Sequence, residues 1–174
     1  FHDITERKMV ELNLTELAFR DPLTGLANRA YFRDRVRFSL LHAKELNTSV
    51  AVLFFDLDGF KYINDTYGHL TGDATLCAIA ERVRRYIRSN DIAARFGGDE
   101  FTILFENIRD IHQLKPMLDR LVENLFVPVK LSELILKVGG SIGIVISISD
   151  QDDVDSLLHK ADLAMYHAKR SGKG

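Results

Sequence analysis

The sequence predicts a mixed α/β fold in which helices pack against a mostly antiparallel sheet. Helical and β-rich segments alternate along the chain, and two pairs of β-rich segments are each separated by adjacent glycines. Adjacent glycines suit tight hairpin turns, and hairpins interleaved with helices favour an antiparallel sheet. The phosphate loops of parallel α/β folds, G-x-G-x-x-G and G-x-x-x-x-G-K-[ST], do not occur. The length of 174 residues suits one domain whose core needs no disulfides, and Cys77 is the only cysteine.

The first 20 residues predict a linker helix. They mix charged side chains with Val10, Leu14 and Leu17, whose spacing of four and then three residues is typical of a coiled-coil seam. This pattern covers barely one heptad. Because the chain begins inside the pattern and without an initiator methionine, we expect it to be part of a longer protein. The predicted organisation is a linker over 1–20 and a domain over 21–174.

The first long helix and the first strand are predicted from the next stretch. A turn cluster at 21–25 is followed by Asn28, which is a suitable N-cap. A helix over 29–46 is predicted from the apolar stripe of Phe32, Val36, Leu40 and Ala43. The run 49–56 is short, almost continuously apolar and ends in acids, which predicts a buried strand.

The remaining elements follow from apolar periodicity and from the two Gly-Gly pairs. Three helices are predicted: one marked by Leu76, Ile79, Val83 and Ile87, one over 111–126 and one over 153–169. Two hairpins are predicted: 92–105 around Gly97-Gly98, and 134–138 with 141–147 around Gly139-Gly140.

The charge balance excludes several classes of function. The chain carries 23 Lys and Arg against 25 Asp and Glu, for a formal net charge of −2, whereas nucleic-acid and anionic-membrane binders depend on a basic excess. No apolar run approaches the roughly 20 residues that span a bilayer, and the charged N-terminus does not resemble a signal peptide. We therefore expect a cytoplasmic domain with no nucleic-acid partner and no direct membrane insertion. A membrane-tethered parent protein is compatible with this expectation.

Acidic residues lie where the buried strands end or turn. Asp56 and Asp58 end the first strand, and Asp99 and Glu100 follow the Gly97-Gly98 turn. If these strands are neighbours, the carboxylates converge, and like charges so close repel unless a cation lies between them. Oxygen ligands of this kind suit Mg²⁺, which usually takes one or two carboxylates together with substrate phosphates. A single acid at a strand end more often faces water, but four acids beside two glycines favour a cation and phosphate site.

Four blocks of sequence carry a family resemblance. They are DPLTGLANR at 21–29, FDLDGFKYIND at 55–65 followed by Gly68-His69 and Gly72-Asp73, GGDEF at 97–101, and ADLAMYHAK at 161–169. These blocks resemble, in order and at the same spacing from about residue 20 to 173, those of the GGDEF family, the diguanylate cyclases. The resemblance implies a fold like the palm of polymerases and class III nucleotide cyclases, with a five-stranded sheet flanked by helices.

The resemblance also implies a reaction. Members of the family join two GTP molecules into cyclic di-GMP and release two pyrophosphates. Each 3′-hydroxyl attacks the α-phosphate of the other nucleotide, so two domains must meet as a homodimer. Such phosphoryl transfer needs charge neutralisation and in-line positioning more than covalent assistance from the protein.

The metal ligands implied by the resemblance are Asp56, Asp99 and the Leu57 carbonyl, with Mg²⁺ as the cofactor and Mn²⁺ as an alternative. Glu100 is implied either as a further metal ligand or as the group that assists deprotonation, because adjacent strand residues point to opposite faces unless the turn twists them. For Asp58 two roles stay open, contact with a second metal and acceptance of a structural hydrogen bond.

Asn64 and Asp73 are implied as the residues that recognise guanine. A carboxylate accepts the paired N1 and N2 donors of guanine, and adenine offers no such pair. Taken alone, Asp73 would rather be an acid that begins a helix and stabilises its dipole.

The phosphate contacts implied by the resemblance are made by Lys61, Lys169 and Lys173, while Gly97 and Gly98 let a phosphate approach the backbone. Lys173 stands where the family commonly has arginine, so a point charge replaces a planar fork.

Arg88 and Asp91 match the R-x-x-D product-inhibition site of the family. In that role Arg88 holds the guanine or phosphate of cyclic di-GMP, and Asp91 accepts guanine N–H groups. The alternative is an arginine at a helix C-terminus followed by a capping acid. Residues 2–8, HDITERK, resemble the exit of a PAS domain and imply an upstream sensor domain in the parent chain.

Two further hypotheses stay open on the sequence alone. The domain could bind GTP or cyclic di-GMP as a catalytically silent regulatory module of a larger signalling protein, although such modules usually lose one of the acids. A cyclase with looser guanine recognition would instead make mixed cyclic dinucleotides, against which Asn64 and Asp73 argue.

Overall fold

The fold is a mixed α/β architecture with an antiparallel sheet flanked by helices, as predicted. The computed structural model describes residues 2–147 and 151–171. In chain order its elements are α1 His2–Phe19, α2 Arg29–Leu46, β1 Ser49–Asp58, α3 Phe60–Tyr67, α4 His69–Tyr86, β2 Ile92–Gly97, β3 Glu100–Ile108, α5 Ile111–Leu125, β4 Val129–Leu131, β5 Leu134–Leu136, β6 Gly139–Ile146 and α6 Val154–Arg170. Among the described residues, none of these helices is both long enough and apolar enough to cross a lipid bilayer.

The main sheet has the strand order β2-β3-β1-β6, with every neighbouring pair antiparallel. β1 is the central strand for the site, because it pairs with β3 on one side and with β6 on the other. Its side chains are buried on both faces, which explains why its sequence is almost continuously apolar rather than alternating.

Two details of the sheet differ from the predictions. The predicted hairpin around Gly139-Gly140 is wrong, because β5 pairs with β4 in a separate two-stranded sheet. Gly139 and Gly140 lie inside β6, where they face the end of β1. A Cβ on Gly140 would lie 2.3 Å from the Phe126 ring, so this glycine permits close packing instead of a turn. Within the described residues the main sheet has four strands, against the five that the resemblance implied.

The sheet divides the core into two layers. Leu53, Phe55 and Leu57 pack toward α4 and α5, whereas Val52 and Phe54 pack toward α2 and α6. On the first face Phe55 stacks on Phe101 with ring centroids 5.0 Å apart. Burying each such side chain contributes about 1.5–3 kcal/mol, so the two layers hold β1 between them.

The helices that border the site have well-defined ends. The Asn28 side chain accepts a hydrogen bond from the Tyr31 backbone N–H at 2.9 Å, which starts α2 at the predicted residue. A capping box between Asp153 and Ser156 starts α6. α4 begins at His69, seven residues before Leu76, the first residue of the apolar stripe that predicted it.

Candidate active site

The acids that end β1 and follow the β2–β3 turn meet at one edge of the sheet. Asp56 lies directly opposite Glu100 across the β1–β3 pair. Direct antiparallel partners point to the same face with Cβ atoms about 4.5–5.5 Å apart. Gly97 and Gly98 have φ values of 141° and 51°, in the region that favours glycine, and their turn brings Asp99 beside the pair. Of the four acids predicted to converge, Asp56, Asp99 and Glu100 lie together at this edge.

The turn that carries Asp99 is held by Arg95. Its Nε donates to the Gly98 carbonyl at 2.9 Å, and its Nη1 lies 2.9 Å from Asp21 Oδ1. Asp21 in turn accepts hydrogen bonds from the backbone N–H and the hydroxyl of Thr24 at 2.9 and 2.7 Å. Arg95 therefore ties the 21–29 block to the Gly-Gly turn.

The electrostatic environment disfavours the charged forms of two acids. Burial raises the pKa of Asp99, the Asp56 charge raises it further, and backbone hydrogen bonds at Asp99 and Leu57 act in the opposite direction. Partial burial also raises the pKa of Glu100, followed by the charges of Asp162, Asp99 and Asp56. The negative charge of Asp56, Asp99 and Glu100 is therefore poorly solvated, and a cation would relieve the repulsion between these carboxylates.

Asp56 has one carboxylate oxygen paired and the other unpaired. Its side chain is 10% exposed, and Oδ2 accepts a hydrogen bond from Lys169 Nζ at 3.0 Å. Its Oδ1 is buried and has no hydrogen-bond partner. Buried polar atoms are normally satisfied, so this unpaired oxygen fits a metal ligand.

The acids suit an ion shared with a substrate better than a closed protein cage. Within 2–147 and 151–171, no three His, Cys, Asp or Glu side chains are grouped so that they could hold a metal by themselves. Mg²⁺ usually takes one or two carboxylates and completes its shell with waters and phosphates. The donors around Asp56 and Asp99 fit a divalent cation of this kind.

Asp58 is engaged in a structural contact. Its Oδ1 accepts a hydrogen bond from Ser141 Oγ at 3.0 Å, and Ser141 is fully buried on the neighbouring strand β6. Of the two roles left open for Asp58, this contact supports the structural acceptor.

Asn64 and Asp73 lie on α3 and α4, which pack against each other. A Cβ on the buried Gly72 would lie 1.8 Å from Asn64 Oδ1, so the Asn64 carboxamide rests directly on Gly72. Asp73 is exposed and lies in the second turn of α4. Because dipole stabilisation falls off within the first turn, a purely structural role at the helix start does not account for Asp73.

The three lysines implied as phosphate contacts have different positions. Lys169 lies in the last turn of α6 and reaches Asp56. Lys61 is exposed in the first turn of α3, close in sequence to the end of β1. Lys173 lies outside the described residues.

Sequence reasoning missed Gly72, Arg29 and Asp162 as contributors to the site. The charges of Arg29 and Asp162 act on Glu100, and both residues line a cavity of about 280 Å³ that borders Glu100. Each belongs to a block that carried the resemblance, so a signal was present. Only the packing of α2 and α6 on the sheet places them beside Glu100.

Arg88 and Asp91 form an internal pair in the loop between α4 and β2. Asp91 accepts hydrogen bonds from the Arg88 backbone N–H at 2.9 Å, from its Nε and from its Nη2. Arg88 Nη2 also donates to the Glu106 carbonyl at 2.8 Å. The Asp91 side chain is completely buried and that of Arg88 is 42% exposed. Of the two interpretations given above for Arg88 and Asp91, this arrangement matches the arginine at a helix C-terminus followed by a capping acid.

Sequence and structure comparisons identify the family. A sequence profile described as diguanylate cyclase, GGDEF domain, matches residues 18–174. The chain belongs to the GGDEF domain family. The solved structure of the GGDEF domain of TpbB from Pseudomonas aeruginosa matches with a TM-score of 0.84 at 40% identity, covering 89% of this chain and 91% of that one.

The curated relatives carry more than one kind of name. MucR of Pseudomonas aeruginosa, a bifunctional diguanylate cyclase/cyclic di-GMP phosphodiesterase, is 41% identical over 160 residues, which are 92% of this chain and 23% of MucR. PdeR of Escherichia coli, a cyclic di-GMP phosphodiesterase, is 36% identical over 172 residues, which are 99% of this chain and 26% of PdeR. This GGDEF domain therefore spans about a quarter of the length of these two relatives.

Proposed function

We propose that this GGDEF domain is an active diguanylate cyclase that condenses two GTP molecules into cyclic di-GMP and two pyrophosphates. The observation that carries the proposal is the acidic edge of the sheet. Asp56 faces Glu100 across the strand pair, Asp99 lies beside them, and a buried oxygen of Asp56 has no partner. These features support a site for a divalent cation and a triphosphate.

In this proposal the chain's own residues bind and orient the nucleotide. Asp56, Asp99 and the Leu57 carbonyl would hold Mg²⁺, or Mn²⁺ in its place. When bound, the ion neutralises phosphate charge and lowers the pKa of the attacking hydroxyl. Glu100 either completes this ligand set or accepts the proton of the 3′-hydroxyl, and its raised pKa makes its carboxylate a better proton acceptor than an ordinary glutamate.

The remaining residues of the site select GTP. Asp73 is exposed and accepts the N1 and N2 donors of guanine, and Asn64, held against Gly72, supplies the second polar contact. Lys61, Lys169 and Lys173 neutralise the phosphates, and Gly97 and Gly98 allow them to approach the backbone. Each domain holds one GTP in this scheme, so catalysis requires a homodimer.

Product feedback at Arg88 and Asp91 is part of the proposal. The Arg88 side chain is 42% exposed, and a guanidinium suits recognition of a guanine or phosphate. The Asp91 carboxylate already accepts hydrogen bonds from Arg88. Bound cyclic di-GMP would therefore use Arg88 first, and Asp91 would act mainly by orienting it.

A regulatory module that binds nucleotide without turnover is the second candidate. It is favoured by the match to PdeR, which covers almost all of this chain and carries the name of a phosphodiesterase. This candidate predicts binding of GTP or cyclic di-GMP with no release of pyrophosphate.

The test is GTP turnover by the purified domain with Mg²⁺, with cyclic di-GMP and pyrophosphate quantified across a series of protein concentrations. We expect the rate per chain to rise with concentration, and to rise further when the domain is fused to a dimeriser. Asp99→Ala and Glu100→Ala should each lower turnover at least about a hundredfold, the scale on which one lost charge-stabilising group acts.

Asp119→Ala is the matched control, because Asp119 is an exposed acid that pairs with Lys115 on α5. It should leave turnover unchanged. Folded wild-type protein that binds GTP but releases no pyrophosphate, even as a dimeric fusion, would establish the regulatory module instead.

A further inference from the structure

A single ion pair joins the end of α6 to the acidic edge of the sheet. Lys169 Nζ lies 3.0 Å from Asp56 Oδ2, although the two residues are 113 positions apart in sequence. The Asp56 side chain is 10% exposed, and the Lys169 side chain is half-exposed. The pair therefore joins a nearly buried anion to a half-exposed cation.

Lys169 supplies positive charge at the point where the acids are crowded. Besides its hydrogen bond with Asp56, its ammonium interacts electrostatically with Asp58 and Asp99. A buried carboxylate without a compensating charge is costly. The lysine occupies only one oxygen of Asp56, since Oδ1 has no partner.

We propose that Lys169 is an internal counter-ion that holds Asp56 in the metal-free protein and is displaced from it when a divalent cation binds. This inference rests on the proposed function and adds the order in which the metal and phosphate contacts form. Metal entry releases the lysine from Asp56, and only then is its ammonium available to the triphosphate. A long, flexible lysine with a strongly hydrated ammonium suits such a move better than a rigid fork.

As a consequence, Lys169 competes with the metal for Asp56 but contributes to binding of the nucleotide. Without nucleotide, the lysine and the cation contend for the same carboxylate, so the lysine weakens metal binding. With nucleotide present, the displaced ammonium gains a phosphate partner. Metal and nucleotide binding are thereby coupled, and by linkage each strengthens the other.

A second ion pair on the same helix provides a matched control. Lys160 Nζ lies 2.6 Å from Asp152 Oδ1, with the lysine side chain 48% exposed and the aspartate side chain 1% exposed. Both lysines belong to α6, so Lys160→Met and Lys169→Met each remove one charge and one comparable pair. Only Lys169 lies at the acidic edge.

The experiment measures Mn²⁺ binding to the nucleotide-free protein by electron paramagnetic resonance of the free ion. Wild type is compared with Lys169→Met, Lys169→Arg and Lys160→Met, and thermal unfolding verifies that each variant is folded. We expect Lys169→Met to bind Mn²⁺ about tenfold more tightly, the scale of losing one competing hydrogen bond between charged groups. Lys169→Arg keeps a cation on Asp56 and should show no such gain, and Lys160→Met should stay close to wild type.

Two results would overturn the inference while leaving the cyclase proposal intact, provided that wild type turns over GTP in the separate assay. One is equal Mn²⁺ affinity in wild type and Lys169→Met. The other is an equal gain in Lys160→Met, which would assign the effect to net charge. No Mn²⁺ binding in either wild type or Lys169→Met would overturn the inference, and the same result with a non-hydrolysable GTP analogue present would also overturn the metal assignment.

Discussion

Asp99 and Glu100 are carboxylates that the fold places where their charged forms are disfavoured. Burial is the main reason for Asp99, and the charges of neighbouring acids add to it. Such residues reduce stability in the metal-free protein and are retained where function needs them. The stability of Asp99 variants therefore measures directly how strongly burial and the neighbouring acids disfavour the Asp99 charge.

Asp99→Asn should stabilise the metal-free protein at neutral pH. Because the pKa of Asp99 is raised in the folded state, its stabilising contribution is complete below the ordinary value of 3.8 and is lost as the pH rises through the folded pKa. At pH 7 the wild type has lost this contribution, and the variant has no charge to lose. We expect a melting temperature higher by a few degrees at most, since about 1 kcal/mol is the upper range for a partly exposed group.

Asp155→Asn is the control with the opposite sign, because the hydrogen bond and charge of Arg33 lower the pKa of Asp155. This substitution should destabilise at neutral pH and lose its effect on acidification. Urea unfolding of both variants at pH 7.5, 5 and 3 checks the two trends, because the Asp155 contribution is lost only below the ordinary value of 3.8. An Asp99→Asn protein less stable than wild type at pH 7.5 would contradict the claim that the fold disfavours the charged form of Asp99.

At the level of elements, the site depends on how closely α6 packs on β6. A Cβ on Gly143 would lie 2.1 Å from the Met165 backbone nitrogen and 2.6 Å from the Ala161 carbonyl oxygen. Backbone atoms of a helix cannot give way as a flexible side chain can. Lys169 lies one turn beyond Met165, so the depth of this contact also sets the reach of Lys169 to Asp56.

Gly143→Ala should therefore destabilise the domain by about 1–3 kcal/mol, the usual cost of overpacking a well-packed contact. Gly139→Ala is the matched control on the same strand. Its Cβ would meet nothing closer than Asp58 Oδ2 at 3.8 Å, and we expect a change within about 0.5 kcal/mol. Chemical denaturation measures both, and equal effects would mean that α6 does not rest tightly on Gly143.

The elements also show which sequence signals were reliable. The α2 stripe, the Asn28 cap and the Gly97-Gly98 hairpin predicted the structure well because each signal is local. Gly139-Gly140 led to the wrong prediction of a hairpin, because the same dipeptide that permits a turn also permits close packing. Nothing near this dipeptide in sequence reveals that Phe126 and β1 press against it.

At the level of the whole molecule, the site is assembled from three distant stretches: the end of β1, the β2–β3 turn and the end of α6. The sequence predicted the members Asp56, Asp99 and Glu100 because acids at strand ends and a family motif are visible in one dimension. It did not predict that Lys169 pairs with Asp56 or that Asp162 acts on Glu100. Those contacts depend on the antiparallel register and on helix packing, which residue types alone do not encode.

The most direct test of the central claim is a crystal structure of the domain with Mn²⁺ and a non-hydrolysable GTP analogue, with the ion located by its anomalous scattering. We predict an ion coordinated by Asp56, Asp99 and the phosphates, with the guanine at Asn64 and Asp73 and the Lys169 ammonium moved from Asp56 to the phosphates. A bound nucleotide whose metal contacts neither Asp56 nor Asp99 would contradict the account.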